Sequence, residues 1–303
     1  MAGLNQEVWT DVAVLQYRET EDAQFLNEIT DESRHVNDTK SGKNQTIHLV
    51  DIGIDPEVLI NNTTYPIPAA AQTDADIPIN LDKYQTYVTN VTDDELDYIA
   101  YDKVKIVQQK HVKAIMARKH AKAAHALTPS TNTANTPILV TTGETVDGRK
   151  RLIRRDVLTL KSAWDKLKIP QSQRILVLCS DHYNDLLWEA IEMKKSADHL
   201  SSNEFGLLKQ RIEGFKTYWY VDCPHITVAT KVKKSFGSIP GAGDKEASFA
   251  FVSDDMFKAM GATVFYEDKP TPRTQQWEFN MKHFFIVLPR KARGIAAIVS
   301  DIA

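Results

Sequence analysis

The most concentrated chemistry in the sequence is cationic. The segment KHVKAIMARKHAKAAHAL, residues 110–127, contains no acidic residue, and none occurs between residues 103 and 143. The side chains that are candidates to face DNA are Lys103, Lys110, Lys113, Arg118, Lys119 and Lys122. Such cations would neutralise phosphates without reading base sequence, and their binding would weaken as salt rises. The alternative is a solvated basic face near the C-terminal end of a helix, where the helix dipole favours cations.

The charges of the chain are divided unevenly along its length. Residues 1–102 hold 20 acidic and five basic side chains, whereas the rest of the chain holds 32 basic and 20 acidic ones. This division predicts contact between the two parts, within one molecule or between copies, unless it is a casual surface imbalance. The candidates for contacts between subunits are Asp22, Phe25, Glu28, Asp31, Glu32, Asp55 and Glu57 in the first part and Arg149, Arg151, Arg154 and Arg155 in the second.

Residues typical of catalysis occur without the spacing that catalysis needs. The tetrapeptide CSDH, residues 179–182, places a nucleophile beside a base, but catalytic groups are usually brought together from separate segments. A helix cap after a buried strand explains it better. His120 and His125 do not share a helix face, and residues 241–244 lack the Lys-Ser/Thr pair of a phosphate loop. We therefore expect no catalytic residue, no cofactor, no metal ligand and no enzymatic activity.

Composition excludes several classes of protein. A chain of 303 residues with 42% hydrophobic and 25% charged residues is typical of a soluble globular protein. No window approaches 18 consecutive apolar residues, so we expect no membrane span. The first residues, MAGLNQEVWTDV, lack the features of a signal peptide, and two cysteines are too few for a disulfide framework. We expect folding in a reducing cytoplasm.

The first 92 residues hold elements that need a partner. An amphipathic helix is predicted over residues 22–36, with Phe25, Leu26 and Ile29 on one side. Two strands are predicted in QTIHLVDIGI (45–54) and DIPINLDKYQTYVTNV (76–91), joined by a turn-rich stretch. A lone hairpin of this kind is marginally stable in water, so we expect another surface to cover it.

One long helix is predicted over residues 93–127. Thr92 and Glu95 form a capping box at its start, and Thr128-Pro129 ends it. Its apolar residues fall on two sides, one around Val107 and the other around Ile115, so we expect its two halves to pack against different elements.

The remainder has an α/β pattern. Helices are predicted over about 155–167, 181–194 and SDDMFKAMG (253–261), and strands in ILVTT, RILVLCS, EGFKTYWYV, HITVAT, SFAFV and TVFYED. Residues 275–301 are predicted to form two strands interrupted near Pro289.

The order of these elements and one long motif resemble the major capsid proteins of tailed bacteriophages with the Hong Kong 97-type fold. The motif, RRDVLTLKSAWDKLKIPQSQRILVLCSDHYNDLL (154–187), combines a helix, an Ile169-Pro170 turn, Arg174, an apolar strand and Tyr183 before Leu186-Leu187. The segment RIEGFKTYWYVDCPHI (211–226) resembles the Gly-Phe strand of the family. The resemblance covers most of residues 45–303 and implies an α+β fold.

The resemblance also implies a division of the chain. It assigns an N-terminal arm to residues 1–40, an extended E-loop hairpin to 41–92, and a central α/β A domain to 155–255. The P domain would comprise 93–154 and 256–303, with the spine helix at 93–127.

The implied function is self-assembly into hexamers and pentamers that form an icosahedral shell around packaged double-stranded DNA, in a virion assembled in the host cytoplasm. The implied partners are further copies of the chain, a separate scaffolding protein, a portal and non-specifically bound DNA, with no membrane. The alternatives are an encapsulin-like compartment and a DNA-binding architectural protein that uses the basic helix. Deletion of residues 1–40 is expected to leave a folded body that forms no shells.

Overall fold

The computed structural model describes residues 23–36, 46–51, 58, 60–63, 65–66, 75–92, 103–192, 200, 206–208 and 210–302. The helices are α1 (Lys103–Ala126), α2 (Arg154–Lys166) and α3 (Ser180–Glu192). The strands are β1 (Thr30–Asp31), β2 (Thr46–Asp51), β3 (Ala75–Asn80), β4 (Asp82–Gln85), β5 (Thr89–Thr92), β6 (Ile138–Val140), β7 (Thr145–Val146), β8 (Arg149–Lys150), β9 (Arg174–Leu178), β10 (Lys216–Trp219), β11 (His225–Thr227), β12 (Val232–Lys233), β13 (Asp244–Val252), β14 (Met256–Asp268), β15 (Gln276–Pro289) and β16 (Ile295–Val299).

A seven-stranded mixed sheet forms the centre of the α/β part. Strand β9 pairs in parallel with β10 and antiparallel with β13, and β13 also pairs with β11 and β16. Strands β12 and β6 pair with β11 and β16, respectively. Both faces of β9 are buried: Leu176 and Leu178 pack with α2 and α3, whereas Ile175 and Val177 face the opposite core. Burial on both sides explains the unbroken apolar run ILVL, residues 175–178.

The turn between α2 and β9 is held by Arg174. Its guanidinium donates hydrogen bonds to the carbonyls of Ile169 and Pro170 and pairs with Asp165 at 2.7 Å. The arginine is buried, and these contacts compensate its loss of hydration. This arrangement gives a structural reason for the residue types of the 154–187 motif.

A second sheet is built on a long antiparallel ribbon of β14 and β15. Strands β4 and β5 both pair with β15, and β1 pairs in parallel with β14. Helix α1 covers one face, where Ile115 and Met116 pack with Phe265 and Phe279. On the other face, Ile47 of β2 packs into a separate small cluster.

The register of the ribbon shifts once. The pairing of β14 with β15 is interrupted between Met260 and Thr263 by an irregularity of the bulge type. An extra residue in one strand reverses which side chains face each side of the sheet. Met256 and Phe265, nine residues apart, therefore lie on the same face of the ribbon, where Met256 packs in the core of the central sheet and Phe265 packs beneath α1.

Most predicted elements are present. Helices α2 and α3, the buried strand β9, the pairing of β2 with β3 and the break between β15 and β16 agree with the sequence-based expectations. The turn Asp147-Gly148 has positive φ angles at both residues, as expected of a tight hairpin. Helix α1 ends at Ala126, but its predicted start at residue 93 lies outside the described residues.

Two predicted helices are wrong. Residues 253–255 form a single 3₁₀ turn, and Met256 begins β14 because thirteen residues here extend along β15. The segment predicted as a helix over 22–36 is described from residue 23 onwards. It contains two 3₁₀ turns separated by β1. In both cases strand pairing replaces the local helical preference.

The division between sheets differs from the expected one. Strands β6 and β16 belong to the central seven-stranded sheet, although the resemblance assigned their residues to the P domain (93–154 and 256–303). Strands β4 and β5 pair with β15, although residues 41–92 were assigned to a projecting hairpin. Only β2 and β3, among the described strands of this segment, pair solely with each other.

Candidate assembly and nucleic-acid surfaces

The basic face of α1 is smaller than its sequence indicates. Lys110, Lys113 and Arg118 are exposed, next to the exposed Ala114 and Ala117. Small neighbours leave these charges accessible to a flat or convex polyanion such as a DNA backbone. For Lys103 the structure describes only its place in the first turn of α1.

The expectation that Lys119 faces DNA is wrong. Its side chain is only 1% exposed, and its ammonium group lies 4.8 Å from the centre of the Phe285 ring. The contact is a cation–π interaction within the protein, so this charge cannot reach DNA. Lys122 is half-exposed and pairs with Asp82 at 2.8 Å, which neutralises it.

The C-terminal end of α1 is fixed by a lysine from the central sheet. The ammonium group of Lys233 donates hydrogen bonds of 2.6 Å to the carbonyls of His125 and Thr128. His125 in turn contacts the carbonyl of Lys234 through Nε2 at 2.8 Å. Burial lowers the pKa of Lys233 to about 8. These bonds satisfy carbonyl groups that a helix end leaves without partners.

The basic cluster at residues 149–155 is largely paired within the chain. Arg149 makes a bidentate contact with buried Asp185, at 2.6 and 2.9 Å. Arg151 pairs with Glu192 at 3.1 Å, and Arg154 pairs with Glu213 at 3.2 Å. Arg155 is exposed.

Acidic residues of the first part also have partners in the same chain. Glu28 accepts hydrogen bonds from Lys216 at 2.6 Å and from Tyr218 at 2.8 Å, and Glu32 pairs with Arg290 at 2.7 Å. Burial disfavours the charged form of Glu28, but these bonds outweigh it and lower its pKa. For these residues the attraction between the acidic and basic parts of the chain is intramolecular.

The remaining predicted contact residues are placed differently. Phe25 is buried in the chain's own core, so it offers no surface to a neighbour. Asp31 is exposed and accepts a hydrogen bond from the backbone N–H of Ser33 at 2.9 Å. Asp22, Asp55 and Glu57 lie outside the described residues. Contact of exposed Asp31 and Arg155 with another subunit stays a prediction.

The CSDH tetrapeptide is structural. Burial raises the pKa of the Cys179 thiol to about 12, the opposite of what an activated nucleophile needs. His182 is buried and contacts Ser248 through Nδ1 at 2.7 Å and Ser300 through Nε2 at 3.0 Å. Burial lowers the pKa of His182 to about 4. The pair therefore supplies neither a thiolate nor a base strong enough to deprotonate the thiol near neutral pH.

Within the described part of the chain, no three metal-ligating side chains converge on one point. No helix among the same residues is long and apolar enough to cross a membrane.

Exposed apolar side chains concentrate on the strands and loops between residues 58 and 88. Val58, Ile60, Tyr65 and Tyr87 each expose most of their surface. The strand pattern of the sequence predicted a hairpin here that needs cover, without singling out these side chains. Their apolar type in a turn-rich stretch between strands was the signal that could have identified them.

Comparison with protein-family models and with curated protein sequences finds no match. Solved structures do match. The capsid of Ralstonia phage GP4 aligns with a TM-score of 0.65 at 10% identity, covering 94% of this chain and 88% of that one. A chain from the structure of Mycobacterium phage Che8 aligns with a TM-score of 0.61 at 13% identity, covering 90% of both chains.

A third match is the structure of a virus-like particle. The virus-like particle from Pyrococcus furiosus aligns with a TM-score of 0.54 at 9% identity, covering 97% of this chain and 99% of that one. Sequence identities this low establish only a common architecture. The chain therefore has the α+β fold of phage capsid proteins.

Proposed function

We propose that this protein is the major subunit of a capsid shell. In this proposal copies of the chain form hexamers and pentamers, which close into an icosahedral shell around double-stranded DNA in a virion. The observation that carries the proposal is the alignment with a phage capsid over about nine-tenths of both chains. A fold shared over the whole length, with no enzymatic site formed by the CSDH residues, favours a structural role.

The finer division of the chain follows from the same proposal. Residues 1–40 act as an arm, β2 and β3 as an E-loop hairpin, α1 as a spine, and the seven-stranded sheet as the A domain. Strands β14 and β15 form the body of the P domain. The topology supports the spine and ribbon as one layer because α1 packs directly on β15.

The hairpin of β2 and β3 supports assembly on physical grounds. Among the described strands, β2 and β3 form hydrogen-bonded pairs only with each other; Ile47 packs on the β14–β15 ribbon, but a two-stranded hairpin is marginally stable in water without wider cover. Exposed Val58, Ile60 and Tyr65 lie between the two strands in sequence. These exposed apolar side chains are the candidates for burial at an interface. A neighbouring subunit would cover it, and several such contacts per subunit add multivalently.

Assembly can be tested with the purified full-length chain. We expect closed particles of uniform size in negative-stain electron microscopy and a very large sedimentation coefficient, in the absence of DNA and with or without a co-expressed scaffolding protein. The portal and scaffolding protein are further partners in this proposal. A compact, monodisperse monomer at high concentration under all these conditions would contradict a shell function.

An encapsulating compartment is the second candidate, favoured by the match to the Pyrococcus furiosus virus-like particle. Both candidates form shells, so the contents distinguish them. Nuclease-protected DNA inside particles isolated from the native host supports a virion. Particles that enclose one defined protein and no protected DNA support a compartment.

Basic residues of α1 are expected to set the salt dependence of DNA binding. The double variant Lys110→Ala/Lys113→Ala removes two exposed cations, so the slope of log affinity against log salt should fall by about 1.8. Fluorescence anisotropy with random duplex DNA over a salt series measures this slope. The matched control is Lys269→Ala/Arg273→Ala, which removes two exposed cations elsewhere on the surface.

An equal loss of slope in both double variants would mean that α1 has no special role. A DNA-binding architectural protein is the third candidate, and it would show the same α1 dependence without forming particles when DNA is absent.

A further inference from the structure

A continuous groove runs along the outer side of α2. Two cavities, of about 490 and 420 Å³, lie on this helix and share Arg155 and Thr159 as lining residues. The first extends towards Leu167 at the C-terminal end of α2, and the second extends past the N-terminal end to β6. Together they span the whole length of the helix, about 20 Å for 13 residues at 1.5 Å each.

The groove combines an apolar floor with a basic rim. The apolar side chains that line it are Leu139, Val140, Ile153, Leu158, Ala163 and Leu167. Leu158 is 45% exposed, so its side chain is accessible from the groove. The cations along the groove are Arg155, Lys166 and Lys231.

The acidic side chain in the groove is already engaged. Asp156 accepts hydrogen bonds from the hydroxyl and backbone N–H of Thr142, at 2.6 and 3.1 Å, and from the backbone N–H of Ile153 at 3.2 Å. It is buried, so the accessible charge of the groove is positive. An apolar floor with cationic edges favours an amphipathic segment that carries negative charge.

Residues 1–22 of the chain have this composition. They hold five acidic side chains and one basic side chain. Apolar residues recur at helical spacing in Leu4, Val8, Val12 and Leu15, and the acids Glu7 and Asp11 lie between them. On a helix, Glu7 and Asp11 each follow an apolar residue by three positions, so the acids border the apolar stripe, as the basic rim borders the apolar floor of the groove.

The position at which this segment joins the described fold favours a neighbouring molecule. Ala23 and Phe25 pack with Ile175 and Val177 on one face of the central sheet. Helix α2 packs on the opposite face, with Leu176 and Leu178. To reach its own groove, the segment would have to cross an edge of the sheet, which favours the groove of another copy as its docking site.

We propose that residues 1–22 of one copy dock in the α2 groove of an adjacent copy. The inference rests on the proposed shell function and assigns the receiving surface for residues 1–22, the first part of the arm. Apolar side chains of the arm lie over Leu158 and Leu167, and its acids pair with Arg155 and Lys166. The contact is heterologous, so it links each subunit to the next rather than closing a pair.

A mixed-particle cross-linking experiment tests the docking. Full-length Val12→Cys and full-length Leu158→Cys are co-expressed, and isolated particles are treated with a short bismaleimide. The two native cysteines, Cys179 and Cys223, are both buried, so the engineered thiols are the reactive ones. We expect a covalent dimer that contains one chain of each variant. Co-expression of Val12→Cys with Ile239→Cys is the control, because Ile239 is highly exposed and lies outside the groove.

Charge reversal provides a second test of the docking. Adding Arg155→Glu/Lys166→Glu to the Leu158→Cys chain should lower the dimer yield about fivefold, because two attractive pairs become repulsive. Adding Lys161→Glu/Lys168→Glu, which does not alter the lining, should leave the yield unchanged. Particles that form normally but give equal yields with Leu158→Cys and Ile239→Cys would overturn the docking and leave the shell function intact. A chain that forms no particles under any condition would overturn both.

Discussion

Replacement of Phe25 by alanine is expected to lower the free energy of unfolding by about 4 kcal/mol. Phe25 is 1% exposed, and its ring packs edge-to-face against Tyr220 and Phe249, with centroid distances of 5.4 and 5.7 Å. Truncation removes these aromatic contacts and leaves a cavity between the arm and the central sheet. Chemical denaturation of Phe25→Ala and of the unmodified chain, followed by tryptophan fluorescence, measures the difference.

The matched control is Phe236→Ala, because Phe236 is half-exposed and packs at the edge of His125. It should cost less than about 1.5 kcal/mol, since a partly exposed ring loses little burial. Equal effects of the two substitutions would mean that residues 23–36 are not part of the stable core. The same packing changes the expectation for the arm deletion. Removal of residues 1–40 takes away Phe25, so removal of residues 1–22 is the deletion that separates assembly from folding.

Acidification below pH 6.5 is expected to destabilise the folded chain strongly. Burial lowers the pKa of His182 to about 4 and those of His120 and His283 to about 3. An unfolded histidine titrates near pH 6.5, so between that pH and about 4 the unfolded chain binds more protons than the folded one. The stability from these groups is complete above pH 6.5 and is lost as the pH falls towards 4.

The magnitude is large because three groups contribute. Each buried histidine lowers the free energy of unfolding by up to about 3 kcal/mol at pH 4. The total free energy of unfolding of a folded protein is about 5–15 kcal/mol. Glu246 partly offsets the loss: burial, with nearby Asp181 and Asp222, raises its pKa to about 7, so it favours the folded state as the pH falls. We expect cooperative unfolding between about pH 6 and pH 4, measured as the midpoint of thermal unfolding against pH.

A single substitution separates this effect from general acid denaturation. His120→Gln removes one buried imidazole, so the dependence of the unfolding free energy on pH should decrease by about 1.4 kcal/mol per pH unit over this range. His35→Gln is the control, since His35 is exposed and lies 3.5 Å from Glu32. Identical pH profiles for His120→Gln and the unmodified chain would show that the buried histidines do not limit stability in acid.

Local patterns predicted the elements whose neighbours match their preference. Strand β9 is apolar after Arg174 because both of its faces are covered, and α2 shows a regular apolar stripe through Val157, Leu160 and Trp164. The sequence MFKAMG was misread as a helix because its capped start resembles one. Its true conformation depends on pairing with β15, about 30 residues later, and that partner is invisible in a local window.

The surface charges were harder to predict than the fold. Lys119 falls at the helical spacing of Val112, Ile115, Met116 and Ala123, so its position in the buried stripe was available from periodicity. A lysine is usually exposed, so residue type favoured a surface position. The aromatic ring that accepts the ammonium group, Phe285, lies on a distant strand and was not apparent from the local sequence. The pairing of Glu28 with Lys216 joins residues 188 positions apart, and net charge alone could not distinguish it from a contact between molecules.

The shifted register of the β14–β15 ribbon has a mechanical consequence. Met256 and Val287 anchor one end of the ribbon in the core of the central sheet, and Phe265 and Phe279 anchor its other part beneath α1. One continuous pair of strands is therefore fixed at both ends, each end in a different hydrophobic core. A force applied to the end of the ribbon beneath α1 is therefore transmitted through the backbone hydrogen bonds to the core of the central sheet. The two cores share the strain.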